Sequence, residues 1–353
     1  MKMPKIVLTS ITGGCGSLNN AVVRDTWLDW CRLFAISAIV LTHCVEQFYP
    51  LSAKLPALLL FTIGRLGVPV FLFLSGYLLP SRHEIKCRED YFKFVVKKWL
   101  PLFICVEVWI GIYGVSFLIV SDSIRWLDVI RWMLFNRGVP LSHWWYMPMI
   151  LGAYLGIPLL SVLKNVLGRS FIIWLFAASV FAHIIRPVAR VGFVDLSFVG
   201  NCYFTYIIFG YLVCLYHESV SRWIAMRMVR IVILCLFLIN VVFCLYWQIG
   251  GGRTVFIWYS APCLITAGLM VPLLLKSLPN SRSSLVSFVS IASFGVYLLH
   301  NLILSRMRVL LSAIEIGYVR CALAWGIAMG ISLAIVAVAR RLPVISRLLF
   351  LVK

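Results

Sequence analysis

Long apolar segments follow one another along this chain, separated by short polar and basic connections. A helix needs about 20 apolar residues to cross the hydrocarbon core of a bilayer, and ten of these segments are close to that length. The pattern therefore predicts an all-α fold, a polytopic membrane bundle of about ten transmembrane helices. The ten predicted spans cover residues 32–49, 56–79, 99–120, 144–163, 171–185, 196–216, 231–248, 255–275, 285–305 and 317–339.

The composition supports a membrane protein. Of the 353 residues, 62% are hydrophobic and 12% are charged, whereas soluble domains average about 45–50% apolar and about 25% charged residues. These proportions exclude an ordinary soluble enzyme and a disordered chain. The 11 cysteines form no C-x-x-C pair, and most lie in apolar runs, where cysteine behaves as a small hydrophobe. We therefore expect no metal site.

The net charge of +20 does not indicate a nucleic-acid partner, because the basic residues lie between the apolar segments and form no single patch. With alternating spans, 21 of the 32 lysines and arginines fall on one side and 9 on the other. Cytoplasmic connections carry the excess of basic residues. The bias predicts that both termini are cytoplasmic.

Three regions are predicted along the chain: a flexible cytoplasmic N-terminal segment 1–23, a transmembrane domain 24–340 and a basic cytoplasmic tail 341–353. Within the domain, the basic segment 82–98 is typical of an amphipathic helix on the inner leaflet. Segment 123–137 has apolar residues at helical spacing and predicts a helix on the outer surface.

Ionisable side chains within the apolar segments are the first candidates for chemistry, since such a group costs about 2.5–3.5 kcal/mol at the bilayer centre on insertion scales. His143 lies at the outer mouth of the fourth predicted span, and Asp29 lies at the inner mouth of the first. The candidates inside the spans are His43, Glu46, Arg65, Glu107, His183, His300 and Arg320.

Arg32 and His43 are eleven residues apart, which places them on one helix face about 16 Å apart along the axis. A guanidinium at the inner surface suits a phosphate, and a histidine is the usual general base near neutral pH. A long substrate with phosphates at one end fits this spacing. The alternative is an arginine that reaches lipid phosphate and a histidine that bonds to a neighbouring helix.

Glu46 follows His43 by one turn on nearly the same face. It either orients the imidazole or ends the helix in water. Arg65 lies at a similar depth in the second span and needs a partner there, which is Glu46, Glu107 or a substrate anion.

Other polar positions lie at helical spacing. Ser75 and Gly76 allow close approach of a neighbouring helix. Trp145 belongs to an aromatic run at the start of the fourth span, typical of an interfacial belt. Tyr297 and His300 share one face of the ninth span, which predicts contact with polar groups or a water-filled cavity.

Four stretches together resemble the membrane acyltransferase family 3, whose members include O-acetyltransferases of surface glycans. They occur in the family's order between about residues 24 and 340. They are Leu28-Asp29-Trp30-Cys31-Arg32 followed by ten residues and His43, Arg65-Leu66-Gly67-Val68-Pro69 with Phe73-Leu74-Ser75-Gly76-Tyr77, His143-Trp144-Trp145-Tyr146, and Ser293-Phe294-Gly295-Val296-Tyr297-Leu298-Leu299-His300.

The resemblance implies a multi-pass protein of the bacterial inner membrane with acetyl-CoA as acyl donor. The acceptor it implies is a hydroxyl of a glycan, often still on a polyprenyl carrier. It also implies that Arg32 and His43 are essential and that Arg65 is the family's buried second-span arginine.

We expect His43, Glu46 and Arg65 to carry the catalysis, with His43 as base and either Arg65 or His300 stabilising the developing oxyanion. No serine shows a nucleophile motif, so direct transfer is expected, and a transient acyl-histidine is the alternative. Donor and acceptor would be bound by Asp29, Arg32, Ser75, His143, Trp145, Tyr297 and His300. A transporter or flippase for a lipid-linked glycan or small metabolite is the alternative, since buried ionisable groups also serve proton relays.

Overall fold

The computed structural model describes residues 25–49, 55–185, 188, 201–250, 257–279 and 281–352. The predicted flexible segment 1–23 lies outside these residues. Within them the chain is built of helices and short connections. The helices are α1 (Thr26–Phe48), α2 (Leu55–Arg65), α3 (Gly67–Arg82), α4 (Arg88–Phe94), α5 (Leu100–Val120), α6 (Trp126–Met133), α7 (Tyr146–Gly156), α8 (Leu159–Leu167), α9 (Arg169–Val180), α10 (Asn201–Leu215), α11 (His217–Ala225), α12 (Arg227–Ile249), α13 (Pro262–Lys276), α14 (Ser284–Leu310), α15 (Gly317–Ala339) and α16 (Pro343–Phe350).

Among the described residues, seven helical stretches are long and apolar enough to cross a membrane, and they coincide with seven of the ten predicted spans. The other three predicted spans correspond to shorter apolar helices, Arg169–Ile185, Asn201–Leu215 and Pro262–Lys276. The all-helical membrane fold is thus confirmed. The count of ten and the side of the termini stay predictions.

The core of the bundle is formed by α1, α2, α3 and α14. Most of α1 and of the α2–α3 stretch is buried inside the protein, whereas only 11% of the most apolar part of α12 is buried. In a bilayer an apolar helix with so little protein contact faces lipid. α1 packs against both α2–α3 and α14, so the polar residues of these helices are brought together in the interior.

The second predicted span is interrupted between α2 and α3 at Leu66. Pro69 lies in the first turn of α3, where its missing N–H is not required for a helical hydrogen bond. Gly67 contacts α1 so closely that a Cβ would lie 2.5 Å from the Ala35 carbonyl oxygen. The interruption places Arg65 beside α1 at the end of α2.

α3 and α10 cross at two glycines. A Cβ on Gly76 would lie 1.9 Å from the carbonyl oxygen of Ile207, and a Cβ on Gly210 would lie 2.1 Å from that of Phe73. The two backbones therefore touch, which is the role of small residues where membrane helices pack. The expectation that Gly76 allows close approach is confirmed.

The two predicted surface helices have different outcomes. The basic segment contains α4, but a π-helical stretch, Val95–Trp99, joins α4 directly to α5. The segment is therefore helical over 88–99 and continuous with α5, and its position on the inner leaflet stays a prediction. The outer segment forms the short helix α6, whose Leu127 and Ile130 are exposed, as predicted for a helix with one apolar face.

The residues after 341, predicted as a basic tail, fold against the bundle. α16 runs over Pro343–Phe350, and Phe350 and Val352 are buried. The Leu349 carbonyl accepts a hydrogen bond from Trp109 Nε1 at 2.8 Å. Phe350 also packs on Gly295, so this segment is held against the bundle, and its cytoplasmic position stays a prediction.

Candidate active site

Three histidines from three separate segments meet in the bundle. His43 comes from α1, His300 from α14 and His143 from the connection that precedes α7. Their ring centroids are 5.3 Å apart for His43 and His300, 5.9 Å for His43 and His143, and 5.0 Å for His143 and His300. All three are buried.

His43 is held by Glu46. Its Nδ1 lies 2.7 Å from the carboxylate oxygen Oε2, one helical turn further along α1. A carboxylate accepts only, so Nδ1 carries the proton and Nε2 is left with a lone pair. A basic nitrogen oriented by a carboxylate is the arrangement of a general base. Of the two roles predicted for Glu46, its position matches the orienting one.

Arg65 is the cation of the site and is only 6% exposed. It donates to Glu46 Oε1 at 3.4 Å and to the Tyr259 hydroxyl at 3.2 Å. Its guanidinium lies over Phe61 and Trp258, 4.6 and 5.2 Å from the ring centroids. Of the two carboxylates predicted as partners, Glu46 is the one in contact, and it joins the cation to the base.

The ring orientation of His300 is fixed by the backbone. Its Nδ1 lies 2.7 Å from the Tyr297 carbonyl oxygen, and since a carbonyl only accepts, Nδ1 carries the proton of the neutral ring. Nε2 is buried and has no hydrogen-bond partner in the described part of the chain. A neutral His300 therefore presents a lone pair, which suits a hydroxyl better than an oxyanion.

A narrow pocket with a cavity volume of about 10 Å³, room for about one water molecule, lies between α1, α2–α3 and the segment around His143. Its lining combines the ionisable groups with aromatic rings. Among the residues that line it are His43, Arg65, His143, Trp145, Tyr259 and Tyr297.

His143 lies in the connection that precedes α7, outside the membrane-spanning helices. Burial, with His300 and His43 facing the ring, lowers the pKa of His143 well below its usual value. His143 is thus neutral at physiological pH.

A second polar cluster lies at the other end of α1. Asp29 accepts from the Ser290 hydroxyl at 2.6 Å, and Arg32 donates to both groups at 3.4 Å. Arg32 keeps 26% of its side chain exposed. α14 carries Ser290 here and His300 at the histidine cluster, so a polar stripe of this helix connects the two ends.

Several predicted candidates lie away from the pocket. The hydroxyl of Ser75 donates to the Phe71 carbonyl within α3. His183 bonds to the Ser179 carbonyl. Arg320 donates to the Ile314 carbonyl in the connection before α15, so it is not deep in a span. Glu107 does not line the pocket either.

Other site residues were not found from the sequence. Tyr259 reaches Arg65 from a connection, and Asn301 bonds to the His143 ring at 2.7 Å. Asn301 follows His300 directly, and a buried amide within an apolar helix is costly unless paired. The cost of burying an unpaired amide could therefore have identified Asn301 as a candidate. The sequence offered no such signal for Tyr259, because aromatic residues are common at membrane interfaces.

The chain also matches a known family. A family model described as an acyltransferase domain matches residues 25–341, which is most of the chain and covers every residue of the site. The chain therefore belongs to this acyltransferase family. No curated protein and no solved structure matches it.

Proposed function

We propose that the protein is an integral-membrane O-acyltransferase that moves an acetyl group from acetyl-CoA to a hydroxyl of a cell-surface glycan or its polyprenyl-linked precursor. The main support for this proposal is the cluster of ionisable side chains Glu46, His43 and Arg65, in a chain of the acyltransferase family. As part of this proposal, its four motifs are taken to resemble those of the enterobacterial common antigen O-acetyltransferase.

The chemistry follows from the hydrogen bonds of His43. Nε2 takes the proton of the sugar hydroxyl, and the hydroxyl oxygen attacks the thioester carbon. The tetrahedral oxyanion then collapses with cleavage of the carbon–sulfur bond, and the thiolate of CoA takes the proton from the imidazolium. Glu46 stabilises the imidazolium, and Arg65 supplies positive charge to the oxyanion.

The donor is proposed to enter from the cytoplasm. Arg32 is partly exposed beside Asp29 and Ser290, and a guanidinium binds phosphate oxygens with two parallel hydrogen bonds. Arg32 and His43 are about 16 Å apart along α1. The arm that links the phosphates of CoA to its thioester would extend over this distance.

The acceptor is proposed to approach from the other side, where aromatic rings surround the pocket. Trp145 lies 5.4 Å from Tyr259 and 5.5 Å from Tyr203 between ring centroids. Sugar rings stack their apolar faces on such surfaces, with the hydroxyls free for hydrogen bonds. His300 Nε2, beside His43, is suited to accept from a second hydroxyl of the acceptor.

Membranes that contain the protein, incubated with acetyl-labelled acetyl-CoA and a polyprenyl-linked glycan, test this proposal. We expect label in the glycan, and His43→Ala to reduce transfer below about a tenth of the wild-type rate at equal expression. His183→Ala is the matched control, because it removes another buried histidine away from the pocket. Undiminished transfer by His43→Ala, or no acetyl-CoA-dependent label with wild-type protein, overturns the proposal.

A further inference from the structure

His143 is held by α14 through two separate hydrogen bonds. The Tyr297 hydroxyl donates to the His143 backbone carbonyl at 2.5 Å. One turn later on the same face, the Asn301 amide contacts the ring nitrogen Nδ1 at 2.7 Å. The first bond fixes where His143 lies, and the second acts on its ring.

The direction of the second bond is set by a third side chain. Gln47, at the end of α1, donates its amide N–H to Asn301 Oδ1 at 2.8 Å. With its oxygen engaged, Asn301 presents its NH₂ group to His143. An NH₂ group only donates, so Nδ1 of His143 must be the accepting nitrogen. The proton of the neutral ring is therefore on Nε2.

The environment of Nε2 points to a ligand. His143 is only 1% exposed and lines the pocket, and its Nε2 has no hydrogen-bond partner in the described part of the chain. His43 and His300 beside it each present a lone pair on Nε2. Of the three imidazoles, His143 is thus the one whose Nε2 carries a proton to donate.

We propose that Asn301 is a positioning residue that keeps His143 protonated on Nε2, so that His143 and Arg65 together donate hydrogen bonds to the thioester oxygen as it becomes an oxyanion. The proposal rests on the acyltransferase function above. It assigns the donor role to His143 rather than to His300, and it gives Gln47 and Asn301 a function in setting the tautomer.

The tautomer is measurable without substrate. In protein labelled with ¹⁵N-histidine and reconstituted in nanodiscs, the six histidines give six pairs of ring signals, and loss of one pair in His143→Gln assigns His143. We expect wild-type His143 to be protonated on Nε2. Asn301→Asp places an acceptor at Nδ1, and we expect it to move the proton to Nδ1. A wild-type ring protonated on Nδ1 overturns the proposal.

Activity provides the second readout. Removal of one oxyanion donor costs about 10²–10³ in kcat, and we expect Asn301→Asp to lose that much while the KM for acetyl-CoA changes less than about twofold. Asn240→Asp is the matched control, because Asn240 lies in α12 and bonds to the Leu236 carbonyl and Thr266. We expect it to keep its rate.

The two readouts separate this proposal from the function on which it rests. If Asn301→Asp switches the tautomer but wild-type protein transfers no acetyl group, the proposed function fails and the positioning role of Asn301 stands. If wild-type protein transfers acetyl and Asn301→Asp retains full kcat, the positioning role fails and the function stands.

Discussion

At the scale of single residues, the site is a connected set of hydrogen bonds in a low-dielectric interior. Glu46 contacts both His43 and Arg65, so one carboxylate orients the base and balances the buried cation. Such groups are expensive to bury singly and stable when every member is paired. The arrangement concentrates polar groups at one depth in an otherwise apolar bundle.

Glu46→Gln tests this connection. The amide can donate to Nδ1 of His43, which moves the ring proton to Nε2 and removes the base. We expect the transfer rate to fall about 10²–10⁴-fold, as measured by acetyl transfer in membranes.

Glu107→Gln is the control for that change, because it neutralises another carboxyl group within an apolar helix away from the pocket. Equal losses in both variants, or full activity in Glu46→Gln, would contradict the orienting role of Glu46.

At the scale of elements, close helix crossings determine where the site residues lie. α3 touches α10 at Gly76 and Gly210, and it touches α1 at Gly67. These contacts fix the position of the α2–α3 junction and hence of Arg65. Protein interiors tolerate added volume poorly, because neighbouring backbones cannot yield as side chains do.

Gly76→Ala adds a methyl group 1.9 Å from the Ile207 carbonyl oxygen, so the two helices must separate. We expect a loss of about 1–3 kcal/mol in stability, measured by thermal unfolding in detergent, together with reduced transfer. Gly330→Ala is the matched control, because no heavy atom lies within 4 Å of its added Cβ. A Gly76→Ala protein as stable as the control would show that this crossing is not tight.

The sequence predicted positions within single helices and missed contacts between distant segments. The spacing of Arg32, His43 and Glu46 is a property of one helix, so it was readable from helical periodicity alone. The bond between Asn301 and His143 joins segments far apart in the chain, and periodicity carries no information on such pairs. The folding of α16 onto the bundle was missed for the same reason: Phe350 is buried by Trp109 and Gly295, which no local pattern reveals.

At the scale of the whole molecule, the polar groups divide between the two ends of α1. The cluster of Asp29, Arg32 and Ser290 lies at its start, and the three histidines lie near its end. In the proposed function the donor reaches the first end of α1 from the cytoplasm, and the acceptor reaches the second end from the opposite side.

The orientation is tested by fusions to alkaline phosphatase, which is active only outside the cytoplasm. We expect activity when the fusion follows Asp122, between α5 and α6, and none when it follows Lys353, because basic residues concentrate on the cytoplasmic side. Phosphatase activity at Lys353 and none at Asp122 would invert the account of donor and acceptor entry.

The most direct test of the central claim is mass spectrometry of surface glycans from three strains: one with the wild-type protein, one without it, and one with His43→Ala. We predict that the wild-type glycan carries one additional acetyl group per repeat, and that this group is absent from the other two strains. Identical glycan masses in all three strains would contradict the assignment of the protein as a glycan O-acetyltransferase.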